Sequence, residues 1–295
     1  MPPENQIIKR LQPLLILGMG RSGTTLLMQL LSTSPQIAFD RVYPFEVRYL
    51  TYLLHWALLL GQKWQPGHGW DPVTNFNPPD ERIGPFPYLN AEFWGDQELW
   101  RNCLETAWRE FSKVAIAKTQ ANSKKQPSLL YYAEKIPFWV PSYLRRAMQY
   151  RVILLIRDPR DVFLSITAFD RKRGFSGFSR RAEDDDWTFA ARFVKLCRER
   201  FTVMREQERT ARSLLVKYER LVINIAAETQ RLTQWLGVQL DAGWVERQIL
   251  DFALHMTSKS PRESAGRWRR ELPEKLNEFF LQELGEELGY FGYMA

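Results

Sequence analysis

The sequence predicts an α/β fold, and three observations carry that prediction. An apolar strand, Leu14-Leu15-Ile16-Leu17, runs into a turn bracketed by glycines, and an apolar helix leaves that turn at Thr24. A second strand of the buried type, Arg151-Val-Ile-Leu-Leu-Ile156, is followed by a helix that opens at Pro159. The 295 residues, 45% of them hydrophobic, suffice for the core of one α/β domain with insertions.

The first turn reads Gly18-Met-Gly-Arg-Ser-Gly-Thr-Thr25. Where a strand feeds a helix in this way, the first backbone N–H groups have no intrahelical partners and the helix dipole adds partial positive charge, so an anion fits there. Gly18 and Gly23 permit backbone angles and close approaches that a Cβ would block, while Ser22, Thr24 and Thr25 supply hydroxyls. The spacing Gly18 to Gly23 is that of a nucleotide-phosphate loop, but Thr24 stands where an ATP- or GTP-binding loop has Lys. The cation has moved to Arg21, whose planar fork suits a terminal anionic group.

The helix from Thr24 to Leu31 ends before Pro35, and a short strand is expected at Ile37–Phe39. Tyr43-Pro-Phe-Glu46 then leads into an apolar helix reaching about Leu60, with Glu46 at its start near the mouth of the sheet. Residues 61–95 carry six prolines among glycines and aromatics, an irregular insertion too long for a plain connection. Its aromatic side chains either line a pocket or pack on the core. A helix is expected from Asp96 to about Ala117, with Leu99, Leu104, Trp108 and Phe111 on one side. Strand Leu129–Ala133 follows and ends in Glu134-Lys135, which sets Lys135 at a strand's C-terminal edge, where open α/β sheets bind ligands.

After strand 151–156 come Arg157, then Asp158 and Asp161 as expected partners of a helix N-terminus, and Ser165 farther along that helix. Arg171 to Arg181 form a basic loop bearing glycine and phenylalanine, and a long helix spans about Asp184 to Arg209. Strand Leu214–Lys217 leads to Tyr218-Glu-Arg-Leu-Val. Helices are expected near Ile225–Leu236, stopped by Gly237, and over Ala242–Leu254. A late polar loop at about 255–272 ends in Gly266-Arg-Trp-Arg-Arg-Glu-Leu272, and a helix from Glu274 to Leu288 closes the chain.

Three of these segments, Gly18–Leu27, Arg157–Ser165 and Gly266–Leu272, resemble those of the sulfotransferases, which use 3′-phosphoadenosine 5′-phosphosulfate (PAPS). The resemblance implies a P-loop-like, three-layer α/β/α fold with a central, mostly parallel sheet, here as one domain over 1–295. It implies transfer of a sulfuryl group from PAPS to a hydroxyl acceptor, with release of PAP. Arg21, Ser22, Gly23, Thr24 and Thr25 would hold the 5′-phosphosulfate, and Arg157 with Ser165 the 3′-phosphate. Tyr218 either contacts the donor or packs at a strand end. The late loop, with Arg262, Gly266 and Arg267, would fold over the 3′-phosphate and adenosine. Lys135 would stabilise the bridging or equatorial oxygens, with no metal required. For the base that takes the acceptor's proton the choice falls on Glu46, which is otherwise a helix N-terminal carboxylate paired with Arg48, with His68 second and His55 and His255 as further rivals. A P-loop kinase or nucleoside-triphosphate hydrolase is the alternative, and Thr24 argues against it.

Composition narrows the surroundings. A net charge of +7 suits an acidic ligand, but the basic residues are interleaved with 34 acidic ones, against a nucleic-acid surface. Cys103 and Cys197 suggest neither a disulfide framework nor a zinc site, which fits a reducing cytoplasm. The N-terminus lacks the pattern of a signal peptide, and the apolar run Leu53–Leu60 is too short to span a bilayer. Neither the acceptor nor the oligomeric state is written in the sequence.

Overall fold

The computed structural model describes residues 10–59, 97–121, 128–210, 212–243 and 256–294. They divide between two compact units. The first is drawn from the segments Met1–Leu11, Val47–Gln126 and Trp139–Gln149. It contains helices α2 (Tyr49–Leu59), α3 (Gln97–Ala121) and α4 (Val140–Leu144). Leu50, Leu54 and Ala57 recur at helical spacing and bury one face of α2, and Leu104 and Trp108 do the same for α3. The indole of Trp108 donates to the carbonyl of Leu11 at 2.9 Å, which satisfies a polar atom that is otherwise fully buried.

The second unit, Gln12–Glu46, Pro127–Phe138 and Tyr150–Ala295, holds the sheet. Its strands are β1 (Gln12–Gly18), β2 (Ile37–Ala38), β3 (Tyr131–Lys135), β4 (Arg151–Ile156) and β5 (Ser213–Lys217). All pair in parallel, in the order β2-β3-β1-β4-β5. β1 and β4 are apolar beyond their first residues because both faces are covered, whereas β3 carries the buried charges Glu134 and Lys135. On one face Leu14, Ile16, Ile153 and Leu155 meet Leu27, Leu30 and Leu31 of α1 (Thr24–Ser32), together with Leu221 of α7 (Tyr218–Ile223) and Leu232 of α8 (Ile225–Leu236). Packed rings fill the other layer, where Phe163 of α5 (Pro159–Arg173) stacks on Phe189 of α6 (Asp186–Glu208) at 5.1 Å and meets Phe280 of α10 (Glu274–Tyr290) edge-on at 5.5 Å. A short helix, α9 (Trp268–Glu271), precedes α10.

The elements follow the sequence reading, with four corrections. β2 stops at Ala38, one residue short of the expected Phe39. α2 begins at Tyr49, after an approach in which Phe45 sits at φ 65°, so Glu46 lies in that approach and not on the first turn of the helix. α3 continues past Ala117 to Ala121, there being no proline or glycine to stop it. β3 is shifted by two residues from the expected Leu129–Ala133, to Tyr131–Lys135, so the lysine is the last residue of the strand. Residues 61–95, His68 among them, lie outside the described residues, as do His255 and all but the first two residues of the helix expected over Ala242–Leu254. Among the described residues no helix is long and apolar enough to cross a membrane.

Candidate active site

The site is built where β1 and β4, neighbours at the centre of the sheet, release their C-terminal ends into loops. After β1 the chain turns through Met19–Gly23. The hydroxyl of Ser22 donates to the carbonyl of Met19 at 2.6 Å and its amide to the same oxygen at 3.2 Å, so Ser22 is spent on shaping the turn and is fully buried. Arg21 (φ 67°) and Gly23 (φ 96°) both adopt left-handed backbone, and Gly23 caps α1. A Cβ on Gly23 would stand 2.3 Å from the ring of Tyr218. Gly23→Ala therefore combines backbone strain of about 1–3 kcal/mol with a clash, and a fall in Tm of several degrees is expected in a thermal melt. An unchanged Tm would mean that the turn and Tyr218 move apart at little cost.

Arg21 reaches across to α5. Its Nε donates to Ser165 Oγ at 3.2 Å, and its guanidinium lies 4.2 Å from the centre of the Phe169 ring. Burial, and then the nearby charge of Arg157, pull its pKa down to about 10. Arg157 leaves the end of β4 and is 5% exposed. Its Nη1 donates to the carbonyl of Arg21 at 2.9 Å and its Nη2 to the carbonyl of Ser264 at 2.6 Å. Its cation packs 4.4 Å from the centre of the Tyr218 ring. Its Nε is buried without a partner, and no carboxylate pairs with it among the described residues. Two neighbouring guanidiniums in a poorly solvated place, one of them hydrogen-bonded only to carbonyls, make a site for an anionic group.

These residues face one cavity of about 570 Å³, within the range of sites for molecules of nucleotide or drug size. Gly23, Thr24, Thr25, Ser165 and Tyr218 line it with the two arginines, and so do Thr257, Ser258 and Ser264 of the late loop. Glu46 reaches it from the approach to α2. Behind Thr25, the ammonium of Lys135 donates to Thr25 Oγ1 at 3.0 Å and to the carbonyl of Pro44 at 2.6 Å, and lies 3.6 Å from Glu46 Oε1.

A sequence model described as the sulfotransferase family matches residues 13–242, well over half of the chain. The chain belongs to the sulfotransferase family. No curated protein matches it significantly. Among solved structures it is similar to a mouse sulfotransferase complexed with PAP, with a TM-score of 0.51 and 11% identity, over 96% of this chain and 86% of that one. The sulfotransferase domain of a Synechococcus olefin synthase superposes with a TM-score of 0.47 and 19% identity, over 95% of this chain and 97% of that one. At that identity the mouse enzyme speaks for the shared fold alone.

In this sulfotransferase the late loop is placed differently from the simplest reading of its arginines. Arg262 is exposed and donates to the carbonyl of Val222 at 3.3 Å, away from the cavity. Arg267 is buried and doubly bonded to Glu271, with its Nη1 donating to Thr257, so its charge is already met and its reach is through Thr257, which contacts Ser165 at 3.3 Å. Gly266, at φ 69°, donates its amide to Asp161 Oδ2 at 2.6 Å, and Trp268 donates to Oδ1 at 2.9 Å. Asp161 was expected to serve its own helix N-terminus. It clamps the late loop instead, and burial pushes its carboxyl above the usual range. Asp158 does cap α5, accepting from the amide of Arg160 at 2.9 Å.

Several groups at the site escaped sequence reasoning. Ser264 accepts from Arg157 through its carbonyl and shares a 2.7 Å hydrogen bond with the hydroxyl of Tyr218. Glu219, next to Tyr218, accepts from the amide of Asp158 at 2.9 Å and from Tyr293 at 2.8 Å, and burial raises its pKa. Tyr43 lines the cavity, and burial raises its pKa against the pull of Arg21. Phe178, at φ 51°, lays its ring where a Cβ on Gly20 would stand 2.5 Å away, which explains that glycine. The composition of the 171–181 loop was the available signal for Phe178. For Ser264 and Glu219 there was none, since their partners are distant in sequence. His55 is in α2 of the first unit, with its Nε2 buried and without a partner among the described residues.

Proposed function

We propose that this cavity binds PAPS and passes its sulfuryl group to a hydroxyl acceptor, releasing PAP. The observation that carries the reading is Arg157: a buried guanidinium, unpaired with any described carboxylate, on the same cavity as an anion-binding loop. A nucleotide bearing anions at both ends uses both places, whereas a nucleoside triphosphate uses the loop alone. Membership of the sulfotransferase family supports the same donor, and a mouse enzyme of this fold was solved with PAP.

The residues divide the work as follows. The amides and hydroxyls at the start of α1, with Arg21, hold the 5′-phosphosulfate. The acceptor oxygen attacks sulfur in line with the bond from sulfur to the bridging phosphate oxygen, and that bond breaks as the new one forms. Charge grows on the departing phosphate oxygen. Lys135, bonded to Thr25 and Pro44 behind the cavity wall, is the cation assigned to it. Glu46 takes the acceptor's proton. Arg157 and Ser165 hold the 3′-phosphate, Tyr218 packs beside it, and Arg262, Gly266 and Arg267 belong to the loop that covers the donor. Of these three, Gly266 and Arg267 act by holding the loop in place. His68 is the second choice of base, the acceptor is a small molecule or another bearer of a hydroxyl, and a reducing cytoplasm is the setting that fits the cysteine usage.

Calorimetric titration tests the donor site. PAP is expected to bind with micromolar or tighter affinity without metal, and ATP with Mg²⁺ much more weakly. The reverse order would replace this reading with that of a kinase or hydrolase.

A further inference from the structure

Gln29 has no part in the scheme above, yet it lines the same cavity. It is 4% exposed, and its Nε2 is buried without a hydrogen-bond partner among the described residues. Its neighbours on α1, Leu27, Met28, Leu30 and Leu31, are all buried and apolar, so the wall could be completed by another such side chain. A buried amide with unmet donors is destabilising, whereas an apolar group of the same shape is not. The amide therefore answers to something other than packing.

Its position indicates what that is. Thr25 and Gln29 are four residues apart on one helix, so they share a face with their Cβ atoms about 5–6 Å apart. Thr25 is bonded to Lys135, and Lys135 lies 3.6 Å from Glu46. Gln29 thus stands one helical turn beyond the groups assigned to the chemistry, along the same wall, while Phe169 and Phe178 line the cavity with apolar rings.

We propose that Gln29 determines acceptor specificity by hydrogen-bonding a second oxygen of the acceptor, so that the preferred acceptors are dihydric or carbonyl-bearing aromatic alcohols and not simple monohydric ones. This rests on the sulfotransferase reading of the cavity. A site built to hydrogen-bond a substrate oxygen rejects the analogue that lacks it, because its own buried polar group is then left unpaired.

The test compares acceptors that differ by one hydroxyl replaced by methyl: hydroquinone against para-cresol, and resorcinol against meta-cresol, with radiolabelled PAPS as donor. PAP binding is measured first on each protein. The wild type is expected to favour the dihydric member of at least one pair by about 10- to 100-fold in kcat/KM, mostly through KM. Gln29→Met should bring that ratio towards one while PAP affinity is kept and Tm is unchanged or raised. A ratio that survives the substitution, no preference or no turnover with either pair despite PAP binding, or a fall in Tm with equal loss on both members would each overturn the proposal. Failure of PAP to bind the wild type would instead sink the donor reading, and this proposal with it.

Discussion

Glu46→Gln is expected to lower kcat by about 10²- to 10⁴-fold, the range supplied by a positioned proton acceptor, and to change PAP affinity by less than about threefold. The carboxylate reaches the cavity from the segment before α2 and lies 3.6 Å from the ammonium of Lys135. The amide keeps the size and the oxygen that faces Lys135, so what is removed is the capacity to take a proton. Steady-state kinetics at saturating PAPS, alongside calorimetry with PAP, separates the two effects. Turnover within about tenfold of wild type would transfer the role to a histidine, and His68→Ala would be the next variant to measure.

The uneven legibility of this site follows from the range over which each signal acts. Gly18–Thr25 could be read because a strand, a tight turn and a helix N-terminus are one local event, although Gly20 and Gly23 also make room for rings distant in sequence, those of Phe178 and Tyr218. Arg157 and Ser165 could be read because β4 and α5 are consecutive and hold both in one frame. Glu46 was set at the start of the helix, whereas the helix begins at Tyr49, after an approach whose positive φ at Phe45 composition does not announce. Ser264 and Asp161 were out of reach because their roles are relations across about a hundred residues. The carbonyl of Ser264 holds Arg157, and the carboxylate of Asp161 holds the amides of Gly266 and Trp268. The two arginines of the late loop were misjudged for the same reason: whether a cation is spent, as Arg267 is on Glu271, depends on what folds against it.

Arg157→Ala is expected to weaken PAP binding by about 10- to 150-fold, which corresponds to the roughly 1.5–3 kcal/mol of a hydrogen bond to a charged group. The loss should depend on the 3′-phosphate. Adenosine 5′-monophosphate, which lacks it, should bind the variant and the wild type within about threefold of each other. The free protein has a compensation of its own, because Arg157 is one of the charges that depress the pKa of Arg21, and its removal relieves that repulsion. The loss of its bonds to the carbonyls of Arg21 and Ser264 works the other way and loosens the late loop. Arg157→Lys separates these contributions: a point charge retains attraction for phosphate but cannot span both carbonyls in the plane of a guanidinium, so an intermediate affinity is expected. Equal losses for PAP and for the monophosphate would show that Arg157 acts by shaping the loop, and the contact to the 3′-phosphate would then have to come from another group.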